Sequence, residues 1–181
     1  ILAFIFSLFL DKVAFNFISY IKKPFFDLFF SLITNSASII IILALVAVFF
    51  YLNRNNRKWN YFLWASFAMS LFLSFILKLI IARPRPFEEI FYVFTSLASY
   101  SFPSMHAMAA FSVLPILNKA LPRLKIFWIS FASLFAFSRV YLGLHFFSDI
   151  IAGAFFGYFI GIFMVYLENK ISVMGYAEFK S

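Results

Sequence analysis

The chain has 181 residues, of which 65% are hydrophobic and only 12% charged, with a formal net charge of +8. Soluble domains run at roughly 45–50% apolar and about 25% charged residues, so a water-soluble enzyme is excluded, as is a disordered chain, which needs low hydrophobicity. The lack of cysteine removes disulfide frameworks and thiolate metal sites, and apolar stretches that are continuous rather than alternating argue against a transmembrane barrel.

What remains is an all-α, polytopic membrane helix bundle, and its elements are taken in chain order. A helix needs about 20 apolar residues to cross the hydrocarbon core. Ile1–Leu10 is apolar but short, and reads as the end of a span that begins upstream. Asp11–Thr34 sets Asp11, Lys12, Lys22, Lys23, Pro24 and Asp27 in a Phe-rich background. That mixture predicts an amphipathic helical segment lying at the interface, with Pro24 opening a short helix. Ala37–Leu52, Tyr61–Ile81, Met105–Leu117, Ile126–Tyr141 and Phe146–Leu167 are predicted spans, five in all or six with the first. No repeat or low-complexity tract divides the chain, so residues 1–181 read as one membrane-embedded domain.

Lys and Arg collect in short cytoplasmic loops, which accounts for the positive charge without invoking nucleic acid. Asn53–Lys58 (NRNNRK) and Asn118–Lys125 (NKALPRLK) each carry three, and Lys170 follows the last span. Simple alternation puts these loops on one side, the cytoplasmic one. Arg83–Pro103 and Leu142–His145 then face the non-cytoplasmic side, periplasmic or extracellular. Lys12, Lys22 and Lys23 are exceptions, accepted because interfacial helices carry lysine freely. Glu88 and Glu89 read as solvated loop residues.

Ionisable groups at membrane depth cost about 2.5–3.5 kcal/mol each and are functional suspects by default. Away from the basic loops, Lys78, Arg83, Arg85, His106, Arg139, His145 and Asp149 all fall at the opposite face, and they include both histidines of the chain. His145 and Asp149 are spaced i,i+4, so on one helix face the carboxylate reaches the imidazole and fixes its tautomer. The four cations Lys78, Arg83, Arg85 and Arg139 call for an anion, and guanidinium forks match phosphate oxygens. Ser104 and the N–H groups opening the next helix add donors. A phosphate beside two histidines points to phosphoryl transfer, one histidine as nucleophile and the other as acid. Gly153, Gly157 and Gly161 continue the His145–Asp149 stripe and predict that this face packs inside the bundle; Ser66, Ser70 and Ser74 form a similar stripe below Lys78. The same residues leave two alternatives: a bis-histidine haem protein with His106 and His145 as ligands, and an anion transporter, although the paired broken helices of transporters are absent.

Three ordered motifs carry a family resemblance. Lys78 through Arg85-Pro86 reads Lys-x6-Arg-Pro, Pro103-Ser104-Met105-His106 is close to Pro-Ser-Gly-His, and Ser138-Arg139, His145 and Asp149 read Ser-Arg-x5-His-x3-Asp. In these the chain resembles the type 2 phosphatidic acid phosphatase superfamily of integral membrane lipid phosphatases. The resemblance implies that His145 attacks phosphorus and forms a phosphohistidine, with Asp149 orienting it and His106 protonating the leaving oxygen. It implies that Lys78, Arg85, Ser104 and Arg139 hold the phosphate, and that no metal or other cofactor is needed. Membrane lipid phosphates or diphosphates are the implied partners: phosphatidylglycerophosphate, undecaprenyl diphosphate, phosphatidic acid or the 1-phosphate of lipid A. A lipid phosphotransferase on the same site is the variant within the family. Arg83 lies outside the motif, and Met105 replaces the family glycine while keeping its peptide N–H.

Overall fold

The computed structural model describes residues 2–34, 36–86 and 100–178, so Ile1, Glu88 and Glu89 lie outside the described residues. The helices in order are α1 (Leu2–Ile21), α2 (Pro24–Thr34), α3 (Ser36–Leu52), α4 (Arg57–Ile81), α5 (Met105–Ala120), α6 (Lys125–Tyr141) and α7 (Phe147–Glu178), with a 3-10 turn at Pro122–Leu124. Among the described residues there is no strand.

Local chemistry sets several of these boundaries. Pro24, with its fixed φ and missing N–H, suits a first helical position and opens α2 after the break at Lys22–Lys23. Ala82, in the left-handed region at φ 46°, ends α4 by returning its N–H to the Lys78 carbonyl. Ser104 caps α5, its Oγ accepting the Ala107 N–H at 3.4 Å.

Two expected boundaries are corrected. The chain does not break at Asp11: α1 runs through it as one 20-residue helix. Asp11 is buried because Arg83 and Ser148 satisfy its carboxylate, so the charge that reads as a helix edge is internal. The expected interfacial segment is therefore the second half of α1 followed by α2. The last helix does not stop at Leu167 either, but runs on to Glu178. Glu168 is buried there against Lys58 at 2.5 Å and Ser172 at 2.7 Å, a pairing that removes the penalty expected to end the span.

Among the described residues three helices are long and apolar enough to cross a membrane: Arg57–Ile81, Pro122–Tyr141 and Phe147–Ser172. α3 and α5, expected spans too, are shorter at 17 and 16 residues. The brevity of α5 follows from its place at the centre, where Ala107–Ala110, Ser112–Leu114, Ile116 and Leu117 are all buried by neighbouring helices. The outward faces stay apolar, as with Phe155, Phe159 and Phe163 of α7 and Phe72 of α4. A soluble monomer does not expose apolar surface on that scale; in a bilayer it is the solvated surface.

The closest helix approach is between α5 and α7. A Cβ at Gly153 would lie 2.6 Å from the Ser104 carbonyl oxygen, and one at Gly157 or Gly161 would collide with the backbone of Met108 or Ser112. Glycine at this period lets the two backbones touch. Gly157→Ala is expected to destabilise the detergent-solubilised protein by about 1–3 kcal/mol, the usual cost of overpacking. A thermal unfolding scan that shows no lowering of the midpoint would contradict this packing.

Lys58 of α4 contacts Glu168 of α7, and the charge of Lys119, just past the middle of the chain, is also felt there. The basic loops thus gather at one end of the bundle. The other ends of the same helices form the site.

Candidate active site

At that second end each polar side chain is delivered by a helix terminus or by the turn next to one. Lys78 occupies the last turn of α4, is buried, and donates from Nζ to the Tyr100 carbonyl at 2.5 Å. After the Ala82 reversal, the segment carrying Arg83 and Arg85 is pinned to the chain entering α5. The Ser101 N–H reaches the Arg83 carbonyl at 2.7 Å, and the Ser101 hydroxyl reaches the Pro84 carbonyl at 2.9 Å. Arg85 donates to the Leu144 carbonyl at 3.0 Å, which ties that segment to the turn before α7. The Ser104 N–H donates to the Asp149 carbonyl at 3.1 Å, so the start of α5 abuts the start of α7.

His106 lies in the first turn of α5, its ring centroid 5.8 Å from that of Phe135. Met105 before it needs no special backbone, since Ala82 is the one non-glycine with positive φ among the described residues. The family glycine is therefore not required here for conformation. Arg139, in the last turn of α6, is buried and donates to Thr34 Oγ1 at 2.6 Å and to the Thr34 carbonyl at 3.3 Å. Its Nε is buried without a hydrogen-bond partner among the described residues.

His145 is not on a helix face, as its spacing predicts, but on the turn before α7. Gly143 at φ 71° reverses the chain there, and the N–H groups of Leu144 and His145 both converge on the Arg139 carbonyl. The expected partners still face each other: Nδ1 of His145 lies 3.6 Å from Asp149 Oδ2, just outside hydrogen-bonding range. The same Oδ2 accepts the Phe146 N–H at 2.9 Å, and Oδ1 takes Arg83 at 2.6 Å. Asp149 thus also completes half of a capping box on α7.

Electrostatics bind the group together. Burial is the main cause that pushes His145 down to about 4, with the charges of Arg85, Lys78 and Arg139 adding to it and Asp149 opposing. The imidazole is neutral at pH 7. The charges of Arg139, Arg85 and Lys78 reach His106 too, so both histidines share one electrostatic environment with three of the cations. Arg83 departs from the expected ring of cations awaiting an anion, because Asp11 at 2.8 Å and Asp149 already neutralise it. Asp11, Ser148 and Thr34 are contributors that spacing did not reveal; the one available signal was a carboxylate inside an apolar helix. Among the described residues no three His, Asp or Glu side chains gather as a metal cluster would.

Beside His145 lies a cavity of about 410 Å³, lined among others by Lys12, Phe15, Lys22, Val140 and Phe146. It runs along α1 and brings an apolar wall to the histidine.

A multi-pass helical membrane protein with a buried group of histidines, aspartate and cations at one end of the bundle is the class that fold and site define. Residues 59–172, more than half the chain, match the sequence model of the PAP2 superfamily, and the chain belongs to that superfamily of membrane lipid phosphatases. It is 27% identical to the lipid A 4'-phosphatase of Bacteroides thetaiotaomicron over 180 residues, 90% of this chain and 79% of that protein. It is 31% identical to the undecaprenyl-diphosphatase of Sulfolobus acidocaldarius over 120 residues, 64% of this chain and 58% of that protein. Among solved structures it resembles the PAP2-type phosphatidylglycerolphosphate phosphatase of Bacillus subtilis, with TM-score 0.74 and 26% identity over 93% of this chain and 94% of that one. It also resembles Aquifex aeolicus LpxE, with TM-score 0.69 and 25% identity over 83% and 92% of the two chains. Three of these four are named as phosphatases, and the haem and transporter readings gain no support.

Proposed function

We propose that this protein is a metal-independent lipid phosphatase that removes the terminal phosphate of a lipid phosphomonoester or diphosphate through a phosphohistidine. The observation that carries the reading is the meeting of a buried neutral His145, backed by Asp149 at 3.6 Å, with Lys78, Arg85, Arg139 and His106. The apolar cavity beside it suits the lipid part of such a substrate.

The chemistry follows from the two ring nitrogens. Nδ1 of His145 faces Asp149, so its proton points there and the lone pair on Nε2 is left for attack on phosphorus. Bound phosphate offsets the cations that disfavour a charged His106, so in the complex His106 carries the proton that it gives to the departing oxygen as the N–P bond forms and the P–O bond to the lipid breaks. His106 then takes a proton from water, whose oxygen attacks the phosphohistidine and releases inorganic phosphate. Lys78, Arg85 and Arg139, with Ser104, hold the phosphate oxygens and stabilise charge on them throughout. The basic loops lie at the far end of the bundle, which supports a catalytic face on the non-cytoplasmic side. Residues 1–181 act as one unit on this reading, because α1 contributes a buried carboxylate to the site.

The test is phosphate release by the detergent-purified protein in the presence of EDTA. The panel is phosphatidylglycerophosphate, undecaprenyl diphosphate, phosphatidic acid and lipid A phosphorylated at the 1- or 4'-position, compared by kcat/KM. Release from at least one lipid is expected, and no release from any would remove the reading. Across pH, the neutral His145 is the active form, so kcat/KM falls as pH drops through about 4 rather than 6.5. Stability declines earlier, between about pH 6.5 and about 4, because over that interval the unfolded chain binds a proton that the folded imidazole refuses. An acid limb fixed at 6.5 for substrates of differing phosphate acidity contradicts the assignment.

A further inference from the structure

Arg83 stands outside the motif residues, yet it makes a dense set of polar contacts near the candidate nucleophile. Nη1 donates to Asp149 Oδ1 at 2.6 Å and to Ser148 Oγ at 2.7 Å, while Nη2 donates to Asp11 Oδ2 at 2.8 Å. Its guanidinium also lies 4.0 Å over the Phe146 ring. Ser148 closes the circuit: its hydroxyl donates to Asp11 Oδ2 at 2.8 Å and its N–H to Asp11 Oδ1 at 2.8 Å. Both oxygens of each carboxylate are thereby used. Asp149 Oδ1 goes to Arg83 and Oδ2 to the Phe146 N–H, which leaves the second lone pair of Oδ2 toward His145 Nδ1.

We propose that Arg83 is a positioning residue for the His145–Asp149 pair, and that Asp11 of α1 holds Arg83 in place. A carboxylate with one oxygen unheld can rotate about its Cβ–Cγ bond, and one without a cation beside it is drawn to the other cations of the site. Arg83 removes both freedoms: Nη1 holds Oδ1 while the Phe146 N–H holds Oδ2, which fixes the carboxylate plane, and the guanidinium, its fork spanning Asp149 and Asp11, supplies the counter-charge. Asp11 and Ser148 do the same for Arg83, so a residue of the first helix sets the orientation of a pair at the start of the last. Arg83 acts through Asp149 and takes no part in holding phosphate, since its charge is already matched by two carboxylates and both donors of Nη1 are taken. This inference rests on the reading of His145 as nucleophile and Asp149 as its orienting group.

The experiment compares Arg83→Met, Arg83→Lys, Asp11→Asn and Ser148→Ala, each alone and in an Asp149→Asn background, with wild type and His145→Ala as references. Positioning partners of this kind are worth about 10–100-fold, and that is the expected loss of kcat for Arg83→Met. KM and the inhibition constant for orthovanadate, a phosphate mimic, stay within about threefold. Arg83→Lys restores part of kcat, because an ammonium supplies the charge but cannot fork. Asp11→Asn and Ser148→Ala give smaller kcat losses and leave vanadate inhibition unchanged; they keep the test decisive if Arg83→Met does not fold. In the Asp149→Asn background none of these substitutions lowers kcat further, because the group through which they act is gone. The proposal is overturned by kcat losses that multiply with that of Asp149→Asn, by a rise in KM and in the vanadate constant, or by an Asp11→Asn protein with wild-type kcat. If wild type releases no phosphate or His145→Ala stays active, the nucleophile reading itself fails; if both behave as expected and Arg83→Met is silent, only the positioning role fails.

Discussion

His145→Ala reduces phosphate release by at least about 10⁴-fold, the scale on which removing a covalent nucleophile acts. No neighbour replaces it. His106, the other histidine in the sequence, is carried by α5 rather than by the turn before α7, the nearby carboxylates of Asp149 and Asp11 are held by Arg83, and the other groups near the cluster are cations or hydroxyls. The stability of the variant is expected to be near that of wild type, because the imidazole Nδ1 makes no hydrogen bond among the described residues. Acid-quenched enzyme is the wrong probe, since phosphohistidine is acid-labile; rapid mixing with labelled lipid phosphate and an alkaline quench is expected to retain label on wild type and none on His145→Ala. Label retained by the variant would place the covalent step on another residue.

His106→Ala separates acid catalysis from attack. With a lipid substrate, whose alkoxide-like leaving oxygen needs a proton, kcat falls by about 10²–10⁴-fold. An aryl phosphate with an acidic phenol leaves without that help, so the phosphorylation half-reaction survives, while hydrolysis of the phosphohistidine still lacks its base. The variant mixed with such a substrate is therefore expected to give a stoichiometric burst of phenol followed by a slow phase, with phosphohistidine accumulating. Equal losses for lipid and aryl substrates, with no burst, would show that His106 holds the phosphate instead of moving a proton.

Much of the site could be read from the chain before any coordinates. The motif spacings, the basic loops and the cost of charge at membrane depth jointly place Lys78, Arg85, Ser104, His106, Arg139, His145 and Asp149 at one end of the bundle, and the structure brings them to neighbouring helix termini there. The glycine stripe was equally legible, because only close backbone contact explains its period. What escaped has a common cause. Asp11 and Glu168 both read as edges of apolar segments, since an isolated carboxylate is penalised in a span. Each is inside a helix because its partner comes from far along the chain: Arg83 is 72 residues from Asp11, and Lys58 reaches Glu168 of α7 from the start of α4. Spacing reveals partners one turn apart and is blind to those a hundred residues away. His145 shows the converse, where the i,i+4 spacing found the right partner for the wrong reason, the contact arising from a glycine turn and not from a helical face.

The joint between Asp11 and Ser148 links positions 137 residues apart. During synthesis α1 enters the bilayer long before α7 exists, and an unpaired carboxylate held deep in hydrocarbon costs about 2.5–3.5 kcal/mol. Until Ser148 arrives, Asp11 has only Arg83 to hold it, and its Oδ1 is left to water or headgroups. Seating of α1 thus waits on α7, and a protein cut short before α7 keeps His145 but loses Asp149 and the Ser148 anchor of Asp11.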